Sequence, residues 1–331
     1  MLEVTELTLS HVGLGGLTEA AAMTLIGNAQ CHRLTEGTGH SIRGIIDDAG
    51  RMVYPGYYYT RLEVPPGRLL GLHRVWDRVA VEIDLRRYGA LLLASRATLS
   101  DAPAAGDPDG GEVDDGGDRV TLLACNSFYV DHAGGEKEPA APKRGTIAAL
   151  PALKEAPWAP QVQSVPRVFV DAQAGGSIDS AFAGNVPSVA TVRYVPRFGY
   201  DLPWGEHIAF SQYATISAGL EREFLQSVAA DPFPLAALEW CETLRRETIY
   251  CTTIASESAL TARLRMRFSP AGTHPLPPGR IVAAELESVV DVRRESDDRL
   301  VLSSKSLRVF AVPAQLADLA ERCCRWCAVL S

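Results

Sequence analysis

The sequence predicts an α+β protein built of two like units, each a single helix followed by several long antiparallel strands. Two observations carry this expectation. A helical stripe leading into strand-like segments occurs in residues 17–130 and again in residues 213–312. The segment 260–268, LTARLRMRF, alternates Leu260, Ala262, Leu264, Met266 and Phe268 with Thr261, Arg263, Arg265 and Arg267, the pattern of a strand with one buried and one solvated face. At 331 residues the chain has room for two ordinary domains. The expected division is an N-terminal unit at 1–145, a linker at 146–185 and a C-terminal unit at 186–331.

In chain order, residues 17–34 place Ala22, Met23, Leu25 and Ile26 on one helical stripe, with Thr18 as N-cap. The small residues of this helix let a sheet approach closely. Strand-like segments follow at 51–64, 78–99 and 119–130. Residues 101–118 hold many Asp and Gly and no large apolar side chain, which reads as an acidic surface loop between strands. Residues 133–166, rich in Ala, Pro and Lys, read as an extended linker. In the second half, residues 213–229 set Ile216, Leu220, Phe224 and Val228 at i, i+4 spacing. Strands fit 243–254, 260–268, 280–293 and 299–312, with a proline-rich turn at 269–280. A helix wrapped by a curved antiparallel sheet is the hot-dog arrangement, so the pattern fits a double hot-dog, although other α+β layouts share this element order.

The net charge of −8 and pI of about 5.5 argue against a nucleic-acid partner. No run reaches the roughly 18 apolar residues of a membrane span. The N-terminus, MLEVTELTLSHVG, lacks a basic region followed by an apolar one, so a soluble cytoplasmic protein is expected. Seven cysteines are an odd number, which disfavours a secreted disulfide framework. The CCRWC cluster at 323–327 has no second ligand pair, so it reads as packing of a terminal helix rather than a metal site. Neither GxSxG nor HExxH occurs, and Gly13-Leu14-Gly15-Gly16 fits no nucleotide-binding loop.

The stretch from Gly13 to Thr60 contains Leu17-Thr18-Glu19, Gly27-Asn28 with His32, and Asp47 to Tyr54. In the second half stand Ala209-Phe210-Ser211-Gln212-Tyr213 and Arg246 with Tyr250. This series resembles the leinamycin-type acyltransferase/decarboxylase family of polyketide biosynthesis. The resemblance implies a double hot-dog enzyme with acyl-CoA and an acyl carrier protein as partners. Such an enzyme takes malonyl or methylmalonyl from coenzyme A, passes it to the carrier's phosphopantetheine thiol and decarboxylates it. The product is an acetyl or propionyl thioester, and no cofactor beyond the carrier thiol is implied. The resemblance also implies a tyrosine nucleophile, mapped here to Tyr54. The chain departs from the family pattern at Asn28 and at Cys251-Thr252, and the run Tyr57-Tyr58-Tyr59 leaves room for a register slip.

Decarboxylation leaves an enolate, which positioned N–H donors stabilise. Gly15 and Gly16, just before the first helix, fit that role, or that of a plain strand-to-helix turn. A phenol near pKa 10 needs activation, for which His32, His11 or Arg61 are candidates. A strand tyrosine also serves as packing, and a histidine late in a helix as a complement to its dipole. Asn28, Asn126, Ser211 and Tyr213 are candidate substrate-binding groups. The alternatives are a hot-dog thioesterase, or a dehydratase using His32 or His207. A non-catalytic double hot-dog that binds an acyl carrier protein or forms a homodimer as an assembly factor completes the set.

Overall fold

The computed structural model describes residues 2–8, 10–13, 16–102, 119–131, 137–183, 190–194, 212–228, 235–252, 259–270 and 274–330. Its strands are β1 (Leu2–Glu6), β2 (Val12–Gly13), β3 (Gly16–Leu17), β4 (Tyr54–Glu63), β5 (Arg78–Tyr88), β6 (Leu92–Asp101), β7 (Val120–Asp131), β8 (Lys137–Pro139), β9 (Ala190–Tyr194), β10 (Cys241–Tyr250), β11 (Leu260–Pro270), β12 (Arg280–Arg294) and β13 (Leu300–Pro313). The helices are α1 (Glu19–Thr38), α2 (Ala159–Gln163), α3 (Val165–Gly175), α4 (Gln212–Val228) and α5 (Ala317–Leu330).

One sheet runs through the described residues in the order β1-β5-β6-β7-β4-β10-β13-β12-β11-β9, with β8 added beside β7. Every pairing within it is antiparallel. The halves meet where β4 pairs with β10, from Arg245 opposite Glu63 to Ile249 opposite Tyr59. Each half therefore contributes one long helix and its own run of strands, and the sheet continues across the seam.

The local reasons match the pattern read from the sequence. Thr18 caps α1: its hydroxyl accepts from the Ala21 N–H at 3.2 Å. Gly39 closes the helix in the left-handed conformation at φ 69°. Ala22, Ile26, Ala29 and Leu34 of α1 lie at 0–2% exposure on a core with Val79, Leu93 and Phe128. The inward residues of β11, Leu260 to Phe268, are likewise at most 2% exposed and pack under α4 against Ile216, Leu220 and Phe224. Burying each such side chain contributes about 1.5–3 kcal/mol.

Three features differ from the expected elements. Residues 78–99 form a hairpin of two strands, β5 and β6, turning at Gly89 with φ 72°. The linker expected at 146–185 carries α2 and α3, whose Val162, Val165 and Ala172 pack with Trp158 on Tyr58, Leu123 and Ile249. β4 carries a bulge between Tyr57 and Tyr59. The extra residue breaks the alternation, so Tyr58 and Tyr59 join the cluster under α3 while Tyr57 packs toward the helical side. The terminal helix is as read: Cys323 and Cys327 are buried, and Trp326 packs edge-on to Phe268 at 5.0 Å. Of the acidic loop expected at 101–118, Asp101 ends β6 and residues 103–118 lie outside the described residues.

Candidate active site

A groove of about 590 Å³ opens between the first turn of α1, the middle of α4 and the first residues of β10. Its size is that of a small-molecule site. Room is left on the α4 side by Ala214, Ala218 and Gly219, which stand at helical spacing and carry little or no side chain. On the α1 side, Thr18, Glu19 and Ala20 form the wall. The N–H groups of a first helical turn have no carbonyl to bond within the helix, and the helix dipole is positive there. That edge of the groove is suited to a carbonyl oxygen that gains negative charge.

Gly16 adjoins this turn with φ +110°, where an L side chain is strained. A Cβ there would collide with the carbonyl of Gly71. The close approach fixes the neighbouring segment, whose Gly71 N–H donates to the Glu242 carboxylate at 3.2 Å. Glu242 lines the groove. Burial raises its pKa, opposed by the Gly71 N–H and by Arg280, Arg308 and Arg74. A carboxyl held in this way is a candidate proton donor and acceptor.

Two ion pairs adjoin the groove through Glu19 and Arg308, which line it. Glu19 accepts from Arg246 Nε at 2.6 Å and from the Thr243 hydroxyl at 2.8 Å. Arg308 pairs with Glu221 of α4 at 2.6 Å. Behind these pairs the hydroxyls of Ser288, Ser304, Ser306 and Thr248 extend the network at 2.5–3.4 Å. Glu221 and Arg246 are 1% and 3% exposed. Buried charges persist only when paired and hydrogen-bonded in this way.

A second polar constellation occupies the matching place in the first half. Ser306 stands opposite Arg246 and Ser288 in the sheet, and Asn126 stands opposite Tyr57 and Leu93. Here the groups are neutral. Gln30 Nε2 donates to Asn126 Oδ1 at 2.8 Å, and the Tyr57 hydroxyl donates to Gln30 Oε1. Tyr213 of α4 meets Tyr250 edge-on at 5.2 Å, and Tyr250 shares a hydrogen bond with Thr60 at 3.0 Å. Burial raises the pKa of Tyr57, Tyr213 and Tyr250.

Of the residues singled out from the sequence, Gly16 borders the groove, and Asn126 and Tyr213 belong to the phenol constellation. Tyr54 stands at the start of β4 with its ring 6.5 Å from that of Tyr129. His32 is on the solvent face of α1, its side chain 69% exposed and its Nδ1 at 2.9 Å from Glu3. Asn28 is exposed on the same helix. The geometry does not bring Tyr54, His32 and Asn28 to the groove. Gly15, Ser211 and His207 lie outside the described residues.

Glu242, Glu221, Arg308, Gln30 and Tyr57 were not singled out. One signal was readable: in β13, Ser304, Ser306 and Arg308 form a period-two polar run between Leu302 and Phe310. Polar side chains on the inward face of a strand mark a place where hydrogen-bonding partners must be waiting.

No family model matches the chain, and no curated protein does. Among solved structures, the chain is similar to one described as an oleoyl thioesterase from Lactobacillus plantarum, with TM-score 0.59 and 12% identity over 95% of this chain and 96% of that one. It is similar to an acyl-ACP thioesterase from Bacteroides thetaiotaomicron, with TM-score 0.55 and 13% identity over 93% and 97%. A 12:0-ACP thioesterase from Umbellularia californica follows with TM-score 0.51 and 12% identity over 93% of each chain. Likeness at this identity establishes architecture: the chain has the α+β double hot-dog fold.

Proposed function

We propose that the protein is an enzyme acting on acyl thioesters of coenzyme A or an acyl carrier protein, and that it hydrolyses them in the groove at the α1 N-terminus. The observation that carries this reading is Glu242, a carboxyl with a pKa raised by burial that lines the groove together with Thr18, Glu19 and Ala20 at the start of α1. The thioester carbonyl would lie against the first-turn N–H groups of α1, which take up charge as the tetrahedral intermediate forms. Glu242, ionised, would accept the proton of the attacking water and return it to the departing thiolate. The pair Glu19–Arg246 holds the first turn of α1 against β10, so the donors are fixed before substrate arrives. The similar folds named for acyl-ACP substrates agree with this choice of substrate class.

Steady-state hydrolysis of acyl-CoA thioesters tests it. Glu242→Gln is expected to lower kcat about 10²–10⁴-fold with KM nearly unchanged, the usual contribution of a positioned acid–base group. Unchanged kcat in this variant would remove Glu242 from the mechanism.

A second reading is transfer with decarboxylation of malonyl or methylmalonyl groups onto a carrier protein, which needs an acyl-accepting phenol. The β4 phenol that meets Asn126 through Gln30 is Tyr57, three residues beyond Tyr54. In that reading an acyl-enzyme adduct seen by intact mass with malonyl-CoA is lost in Tyr57→Phe and retained in Tyr54→Phe. Loss in Tyr54→Phe alone would return the role to Tyr54, and no adduct in the unaltered protein would discard the covalent route.

A further inference from the structure

We propose that a cavity beside the last turns of α1 binds a small phosphorylated molecule, held through its phosphoryl group by Arg87, Lys143 and Arg144. The cavity measures about 360 Å³ and lies between the β5–β6 turn, the turn at Asp48 and the segment 141–148. That volume has room for a phosphoryl group and a small organic body. The site is remote from the groove. Ile147 of the cavity wall accepts from the Leu150 N–H at 3.2 Å, and the Leu150 side chain lies against Gly37 of α1. The groove begins at Glu19, at the other end of that helix. Along the axis the two positions are about 27 Å apart, at about 1.5 Å per residue.

Three observations point to an anion of this kind. The chain is acidic overall, with net charge −8, yet the cavity gathers three cations against a single carboxylate, Asp48. None of these four side chains has an ion-pair partner among the described residues. The excess of cations over carboxylate suits a phosphoryl dianion, which carries about −1.5 to −2 charges at neutral pH. A carboxylate would answer only part of it.

The second observation is that Arg87 is set in place before any ligand arrives. Its Nε donates to the Leu150 carbonyl at 3.0 Å, and its backbone N–H donates to the Pro151 carbonyl at 2.9 Å. Both Nη groups are left for a ligand, in the fork geometry that suits phosphate oxygens. The third lies in the backbone of the opposite wall. Lys143 N–H donates to Ile46 at 2.7 Å, Thr146 N–H to Lys143 at 3.0 Å and Ala148 N–H to Gly145 at 3.0 Å. These bonds tie the segment down, while the N–H groups of Arg144, Gly145 and Ile147 meet no backbone acceptor among the described residues. Gly145 has φ +95°. Free N–H groups gathered in a turn of this kind form an anion-binding concavity.

Titration calorimetry on the full chain tests the site, with phenyl phosphate, benzoate and inorganic phosphate as probes at constant ionic strength. Benzoate keeps the organic body and changes the head; inorganic phosphate keeps the head alone. Phenyl phosphate is expected to bind with a Kd below about 1 mM, at least about tenfold tighter than either of the others. Lys143→Gln/Arg144→Gln is expected to weaken it at least about tenfold, and Asp48→Asn to tighten it. Lys143, Arg144 and Asp48 are exposed, so these variants keep the core intact. Arg322→Gln/Arg325→Gln on α5 removes the same charge elsewhere and is expected to leave binding unchanged.

No binding of phenyl phosphate overturns the site. Benzoate binding as tightly overturns the phosphoryl group as what is recognised, and inorganic phosphate binding as tightly overturns the organic ligand. Undiminished affinity in the Lys143/Arg144 variant, or an equal loss in the α5 variant, overturns the assignment to this cavity.

Discussion

Glu242 concentrates the chemistry of the groove in one side chain, and its titration should be visible in stability as well as in rate. Burial raises its pKa above the ordinary carboxyl value. The folded state therefore prefers the protonated form more than the unfolded chain does. The stability this contributes is complete below the ordinary carboxyl pKa and is lost as pH rises through the folded value. Glu242→Gln cannot titrate and keeps an oxygen for the Gly71 N–H. The melting temperature of this variant relative to the unaltered protein is expected to rise as pH goes from about 4 to about 8. A difference that stays flat across that range would contradict the raised pKa.

Secondary elements whose cause is local were legible in the sequence. The Thr18 cap, the i, i+4 stripe of α4 and the alternation of β11 all act within a few residues, and each element stands within a few residues of its expected place. Elements that depend on distant partners were not. The β4 bulge answers to two neighbouring strands and to α3 packed on one face, and the run of three tyrosines gives no cue to where the extra residue falls. The helices α2 and α3 are short and rich in proline and alanine, and their apolar side chains matter only once a sheet lies beneath them. The groove follows the same rule. Gly71 and Glu242 are 171 residues apart, and Glu19 and Arg246 are 227 apart. Charged side chains at such separations read as surface until the fold pairs them. Tyr54, Asn28 and His32 were conspicuous by motif, yet motif spacing carries no information on which face of β4 or α1 a residue takes.

At the scale of the whole molecule, the pairing of β4 with β10 makes one sheet of two units. Thr248 sits at this seam, opposite both Thr60 and Ser304. Thr248→Pro would remove a central N–H and crowd the ladder on either side. The expected result is a loss of at least about 2 kcal/mol with a single calorimetric transition, since neither unit keeps its edge without the other. Two separated transitions would show that the units melt independently.

The seam also bears on how the two halves can differ. In a pair of identical hot-dog subunits, every substitution appears at both symmetry-related positions, so a change that helps one site is imposed on its twin. A single chain is released from that constraint. Here the first unit has Tyr57, Gln30 and Asn126 where the second has Arg246 and Ser306, together with Glu221. One position of the pair is neutral and phenolic, and its counterpart is ionic. Covalent joining of the units is what allows one molecule to hold two dissimilar polar clusters, each free to specialise without its twin following.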